Sequence, residues 1–181
     1  KLMLVKESSA FVCLPGGFGT LDETFELLTL TQTGKGIPVP IIFLDPPGDP
    51  FWERVHEFVV EQLVPRGLVS PADLGLYRIT DSSSEAVDEI TGFYANYHSI
   101  RQVGDDLVIR LLHAPTADQL AILNERFGHL AASGKIERSA AYSIERRQRD
   151  HVDLPRIKLV FNRRGYAELR EMIDVLNGFV S

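Results

Sequence analysis

The chain has 181 residues, a formal charge of −6, 44% hydrophobic and 24% charged residues, which suits one sizeable core or two small ones and excludes a disordered polypeptide. A net negative charge offers no global field for nucleic acid or an anionic membrane, and no apolar run approaches the ~18 residues of a membrane span. Cys13 is the only cysteine, so an internal disulfide and a cysteine-based metal site are excluded, and the N-terminus does not read as a signal peptide; a cytoplasmic location is the expectation.

In chain order, residues 1–8 read as the tail of an amphipathic helix. Ala10–Leu14 is a continuous apolar run, expected to be a strand buried on both faces. Pro15-Gly16-Gly17-Phe18-Gly19 interrupts it. A helix is expected from Thr20 to about Thr33, with Leu21, Phe25, Leu28 and Gln32 on its core stripe and Thr24, Leu27 and Leu30 widening it. Gly34-Lys35-Gly36 closes that helix. Val39–Asp45 is a second buried strand, ended by Pro46-Pro47-Gly48. Residues 51–63 form a helix that turns Phe51, Val55, Phe58, Val59 and Leu63 inward. Leu76–Ile79 is a third strand, and Ser82–Tyr97 a helix capped by Asp81 or a neighbouring serine. This alternation predicts an α/β fold, a doubly wound parallel sheet of Rossmann type over residues 1–100.

The pattern changes near residue 100. Asp106–Leu112 and Ile157–Asn162 alternate apolar and polar residues, as half-exposed strands do, and each precedes an amphipathic helix, roughly 116–132 and 165–177. Residues 101–181 therefore read as a small α+β module of undetermined role. The charge-rich stretch 138–153 reads as a solvated loop or exposed strand.

The informative segment is Pro15-Gly16-Gly17-Phe18-Gly19-Thr20-Leu21-Asp22-Glu23, between a buried strand and a helix. Closely spaced glycines let a backbone approach a ligand, and the helix start offers N–H groups and its positive end. Strand, glycine turn and helix N-terminus can cradle a phosphate. No Lys-Ser/Thr pair follows and the spacing is not that of a dinucleotide fingerprint, so a monophosphate fits better than a triphosphate. Two bland readings stand beside this one: the glycines can serve a tight turn alone, and Thr20-x-x-Glu23 is also the pattern of a helix capping box.

The nine-residue string resembles the PGGxGTxxE signature of the LOG ("lonely guy") family, cytokinin riboside 5′-monophosphate phosphoribohydrolases whose bacterial members often carry the label "possible lysine decarboxylase". The resemblance extends through Ala10–Leu14 before it and Glu26–Gln32 after it, and covers about residues 1–98. It implies that Gly16, Gly17, Phe18, Gly19 and Thr20 bind a 5′-phosphate, with Asp22 as a further ligand contact. By the same resemblance Glu23 is the catalytic carboxylate, Thr29 contacts substrate, and Lys1 matches the lysine of an Arg-Lys pair whose arginine would precede it. It further implies that this chain holds the C-terminal half of the nucleotide-binding domain, with the N-terminal half missing and supplied physically or by a partner, and that the protein is a homodimer. A chain without that arginine is expected to be inactive alone.

The activity so implied is hydrolysis of the N-glycosidic bond of a nucleoside 5′-monophosphate, a cytokinin ribotide or AMP, without cofactor or metal. The alternative is a non-catalytic nucleotide- or cofactor-binding protein resembling molybdenum cofactor carriers. Lysine decarboxylation is rejected, because no pyridoxal phosphate site is recognisable and Lys6 and Lys35 read as solvated helix-end residues. The five histidines, His56, His98, His113, His129 and His151, show no ligand spacing, and Cys13 reads as inert packing.

Overall fold

The computed structural model describes residues 7–180, and these form two compact units. The first comprises the described residues through Gly92 together with Gly165–Arg170; the second comprises Phe93–Arg164 and the described residues from Glu171 onward. Of the expected helical tail over residues 1–8, all but Glu7 and Ser8 lies outside the described residues, and Glu7 is helical. Among the described residues, no helix is long and apolar enough to cross a membrane.

The first unit is built on a parallel sheet of three strands in the order β1 (Phe11–Cys13), β2 (Ile41–Leu44), β3 (Arg78–Thr80), with Phe11 opposite Ile41 and Ile42 opposite Arg78. Between β1 and β2 runs α1 (Phe18–Gln32). Between β2 and β3 come α2 (Phe51–Phe58), a π-helical turn (Val59–Leu63) and a 3-10 helix (Pro71–Leu76), and α3 (Ser83–Phe93) follows β3. This is an α/β fold of Rossmann-like type. The π turn is closed by Val64 N–H donating to Val59 C=O at 3.0 Å, just ahead of Pro65, which has no N–H to continue an α-helix.

Helices α1 and α2 turn most of the expected residues inward, with Phe25 and Phe58 as the exceptions. On α1 Thr24 and Leu27 are buried and Leu21 and Leu28 pack against the core as expected, Thr31 is buried with them, and Phe25 is exposed. Thr31 is the buried position that hydropathy counting passes over. On α2 the fully buried residue is Trp52, whereas Phe58 is exposed. Trp52 is fixed by Asp45, whose carboxylate accepts the main-chain N–H of Trp52 at 3.0 and 3.1 Å, and by stacking on Phe43 at 4.4 Å. Tyr77 stacks on the same Phe43 at 4.5 Å. Each such ring pair contributes about 0.5–1.5 kcal/mol beyond area burial. Strand β1 is not buried on both faces: it lies at the sheet edge, and Val12 is 44% exposed.

The end of α1 follows the expected glycine stop. Gly34 adopts φ +68°, Lys35 N–H donates to Leu30 C=O at 2.9 Å and Gly34 N–H to Thr31 C=O at 3.1 Å, the paired bonds of a Schellman ending. The start of α3 is capped by Ser82, whose Oγ accepts the Glu85 N–H at 3.3 Å.

The second unit is a four-stranded antiparallel sheet in the order β4 (Tyr97–Val103), β5 (Asp106–Leu111), β7 (Arg156–Phe161), β6 (Ala131–Ser139). Its helices are α4 (Ala117–Phe127), the short α5 (Ser143–Gln148) and α6 (Tyr166–Gly178), whose residues from Glu171 onward belong to this unit. Strand β4 was not expected, because the preceding helix was read through to Tyr97. The helix stops at Phe93, where Asn177 Nδ2 donates to the Phe93 carbonyl at 2.6 Å. Its Oδ1 accepts the N–H groups of Asn96 and Tyr97 at 3.0 and 2.8 Å. An asparagine some eighty positions away ends the helix, so no local signal marked it.

Two further expectations fail here. Strand β5 is covered on both faces, with Ile109 and Leu111 buried on one and Val108 and Arg110 on the other, whereas β7 keeps the expected alternation, with Ile157, Leu159 and Phe161 buried and Lys158 and Val160 part-exposed. Nor is the 138–153 stretch a solvated loop. It holds the end of β6 and α5, and Glu145 is completely buried.

Candidate active site

The Pro15–Glu23 segment leads from β1 into α1, and the helix begins earlier than expected. Its N-cap is Gly17, which provides no side-chain cap, and the first ladder bond runs from Leu21 N–H to Gly17 C=O at 3.1 Å. The N–H groups of Phe18, Gly19 and Thr20 thus come before the helix's own acceptors, the arrangement that favours an anion. Thr20 and Glu23 occupy the third and sixth helical positions, so they do not form the capping box that their spacing allowed.

The three glycines differ in what the fold asks of them. A Cβ on Gly16 would come within 2.9 Å of Thr20 Cβ and closer still to its hydroxyl, so the turn itself requires glycine there. Gly17 and Gly19 have no neighbouring atom that a Cβ would meet, and Gly17 has an ordinary negative φ of −80°. A tight turn explains the first glycine and leaves the other two without a packing role.

At 100° per residue, Glu23 stands about 60° around the helix from Thr20, one turn further in, and both Asp22 and Glu23 are exposed. The structure therefore groups Gly16–Thr20 with Glu23. Thr29 is not part of that group: it lies about 120° around the helix from Glu23. Its hydroxyl donates to the Phe25 carbonyl at 2.8 Å, and it lines a cavity of ≈ 90 Å³ with Phe25, Leu28, Val59, Leu63 and Tyr77. Tyr77, pushed up to about 12 by burial, contacts His56 Nδ1 through its hydroxyl at 2.8 Å. Phe18 is 93% exposed at the start of α1. Lys1 lies outside the described residues. Behind the loop, burial pushes the Cys13 thiol up, against a hydrogen bond with Thr24 that lowers it. No group of three or more His, Cys, Asp or Glu among the described residues could hold a metal ion.

In the second unit the structure gathers groups that sequence reading left scattered. Arg110 and Arg156 enclose Glu145, and the rings of His98 and His151 lie 4.4 Å apart. The available signal was the placing of Arg110, Arg156 and Lys158 among aliphatic residues of β5 and β7, which reads as strand alternation and not as a buried network.

A family model described as "Possible lysine decarboxylase" matches residues 1–90. The chain is 30% identical over 99 residues to a probable cytokinin riboside 5′-monophosphate phosphoribohydrolase of Oryza sativa subsp. japonica, covering 54% of this chain and 44% of that protein. It is 28% identical over 100 residues to a cytokinin riboside 5′-monophosphate phosphoribohydrolase of Arabidopsis thaliana, covering 55% and 45%. A further Arabidopsis protein, also named as a probable enzyme of this kind, is 44% identical over 46 residues, covering 25% and 23%. The chain thus spans just under half the length of the first two relatives.

Proposed function

Because residues 1–90 belong to the possible-lysine-decarboxylase family, whose relatives here are named phosphoribohydrolases, we propose that this chain contributes to hydrolysis of a nucleoside 5′-monophosphate. The products are a free base and ribose 5-phosphate. The observation that carries the reading is the pair Gly17 and Gly19, glycines without a packing role at the uncapped start of α1. A phosphate seated there would need the close backbone approach that a Cβ at either position would obstruct.

Breaking the N-glycosidic bond builds positive charge on the anomeric carbon. Glu23, one turn inside the helix that holds the phosphate, is the carboxylate that would stabilise that charge and orient the attacking water. Binding energy from the phosphate, remote from the reacting carbon, positions the ribose ring against Glu23. Both AMP and a cytokinin ribotide meet these requirements, and the cytokinin ribotide follows from the relatives' names. The reading further includes a homodimer and a nucleotide site completed by residues outside this chain.

The test is to incubate the full-length protein with AMP and with isopentenyladenosine monophosphate and to measure ribose 5-phosphate. Release by the native protein, lost in Glu23→Gln at an unchanged melting temperature, supports the proposal. Nucleotide binding without release would replace it with a carrier role.

A further inference from the structure

In the second unit, residues 140–155 lie over the charged face of the sheet. That face presents Arg101 on β4, Asp106 and Arg110 on β5, and Arg156 and Lys158 on β7, matched by the pairings Val108–Lys158 and Arg110–Arg156. Charge holds the segment down. Glu145 accepts from Arg110 at 2.7 Å and pairs with Arg156 at 2.7 Å. Asp150 pairs with Arg110 at 2.6 Å and with Arg101, and the Tyr142 hydroxyl donates to Asp106 at 2.5 Å. Arg156 also donates to the His151 carbonyl at 2.6 Å.

Little else supports this segment. Helix α5 has six residues, too few to stand unaided. Arg149 and His151 hold left-handed backbone angles of +54° and +49°, a conformation that side chains other than glycine, asparagine and aspartate adopt at a cost. Docking must offset that strain. At this same turn the His151 ring packs against that of His98, 4.4 Å between centroids, and His98 Nδ1 meets Ser99 Oγ at 2.9 Å.

We propose that residues 140–155 form a flap whose docking on the sheet is released by protonation of His98, the ring on which the flap's His151 packs. The groups facing His98 are Ser99 on β4, Arg110 on β5 and His151 and Asp150 on the flap, and His151 Nε2 lies 3.9 Å from Asp150 Oδ1. The His98 ring packs on that of His151 in a contact that already holds the charges of Arg110 and Asp150. A proton on His98 would set a cation beside His151 and Arg110, with Asp150 as its one adjacent anion. Burial, then His151 and Arg110, hold His98 below its ordinary value of 6.5, against the pull of Asp150. A depressed histidine favours the docked form fully above pH 6.5, and that preference fades as pH falls towards its lower value in the docked state. Release would uncover Arg110 and Arg156.

Amide hydrogen exchange on the whole protein between pH 7.5 and 5.5, corrected for the intrinsic rate, tests this directly. One linked proton can change an opening constant by at most about tenfold per pH unit. Protection of the Asp150 and Leu154 amides, bonded to Glu145 and His151 carbonyls, is expected to fall by about threefold or more across this range. The Ile109 and Ile157 amides of the sheet should hold steady. His98→Asn and His151→Asn should each flatten the dependence while staying docked at pH 7.5, and asparagine suits the left-handed angle at 151. The proposal fails if flap protection is constant with pH, if it falls in step with the sheet, or if the dependence survives in both variants.

Discussion

Replacing Gly19 by alanine separates the two reasons a glycine can stand there. The position is helical and open, so alanine should raise stability by about 0.5–1 kcal/mol while weakening nucleotide binding. Denaturant unfolding and calorimetric titration with AMP would measure both, and unchanged binding would return Gly19 to the bland reading. Gly16→Ala should behave oppositely, costing about 1–3 kcal/mol because the new Cβ meets Thr20. Glu145→Ala leaves Arg156 buried without its carboxylate and Arg110 with Asp150 alone, and a loss of about 3–5 kcal/mol is expected in urea unfolding. At this scale the glycine motif was legible as a string, because its residues are neighbours in the chain. Glu145 was not: its partners stand on β5 and β7, and a carboxylate among arginines reads as a solvated one until the strands are paired.

At the scale of elements, the end of α1 is where local chemistry and fold agree most closely. Gly34 carries a left-handed φ, and a Cβ there would fall inside the Tyr166 ring. Gly34→Ala should therefore combine backbone strain with overpacking, destabilising by about 2–4 kcal/mol, readable as a lower urea midpoint at unchanged slope. Helix and strand positions in the first unit were legible to within a few residues from apolar runs and glycine stops. Most of the buried helix faces were legible too; Thr31 and Trp52 were not, and Phe25 and Phe58 are exposed where hydropathy alone favours burial. Strand β4 was hidden for another reason, since Asn177 ends α3 from the far side of the second unit's sequence.

For the whole molecule, the two units answer acid differently. Burial pulls the Glu145 and Asp150 carboxyls up, but hydrogen bonds from the Tyr142 N–H and Arg110 to Glu145, and from Arg110 and Arg101 to Asp150, draw both below their ordinary values of 4.5 and 3.8. A depressed carboxyl contributes stability that is present above its ordinary value and is lost as pH falls through its lower folded value. Below about pH 4 the second unit should lose protection first, seen as faster amide exchange in β7 than in β2. Equal loss in both strands would show that the ion network does not govern acid stability. The change in strand pattern near residue 100 was visible in the sequence; the boundary between Gly92 and Phe93 and the return of Gly165–Arg170 to the first unit were not, because a helix whose turns serve two cores leaves no mark in its own sequence.

Trp52 is the only tryptophan in the chain, and it reports on one unit alone. Its indole is fully buried on Phe43, edge-on to Phe51 at 5.0 Å, with an N–H that finds no hydrogen-bond partner among the described residues. An indole in such dry surroundings emits at the short-wavelength end of its range. The protein thus carries an intrinsic optical gauge of the first core: its emission should stay blue while the second unit melts in acid, and shift to the red only when β2 and α2 part.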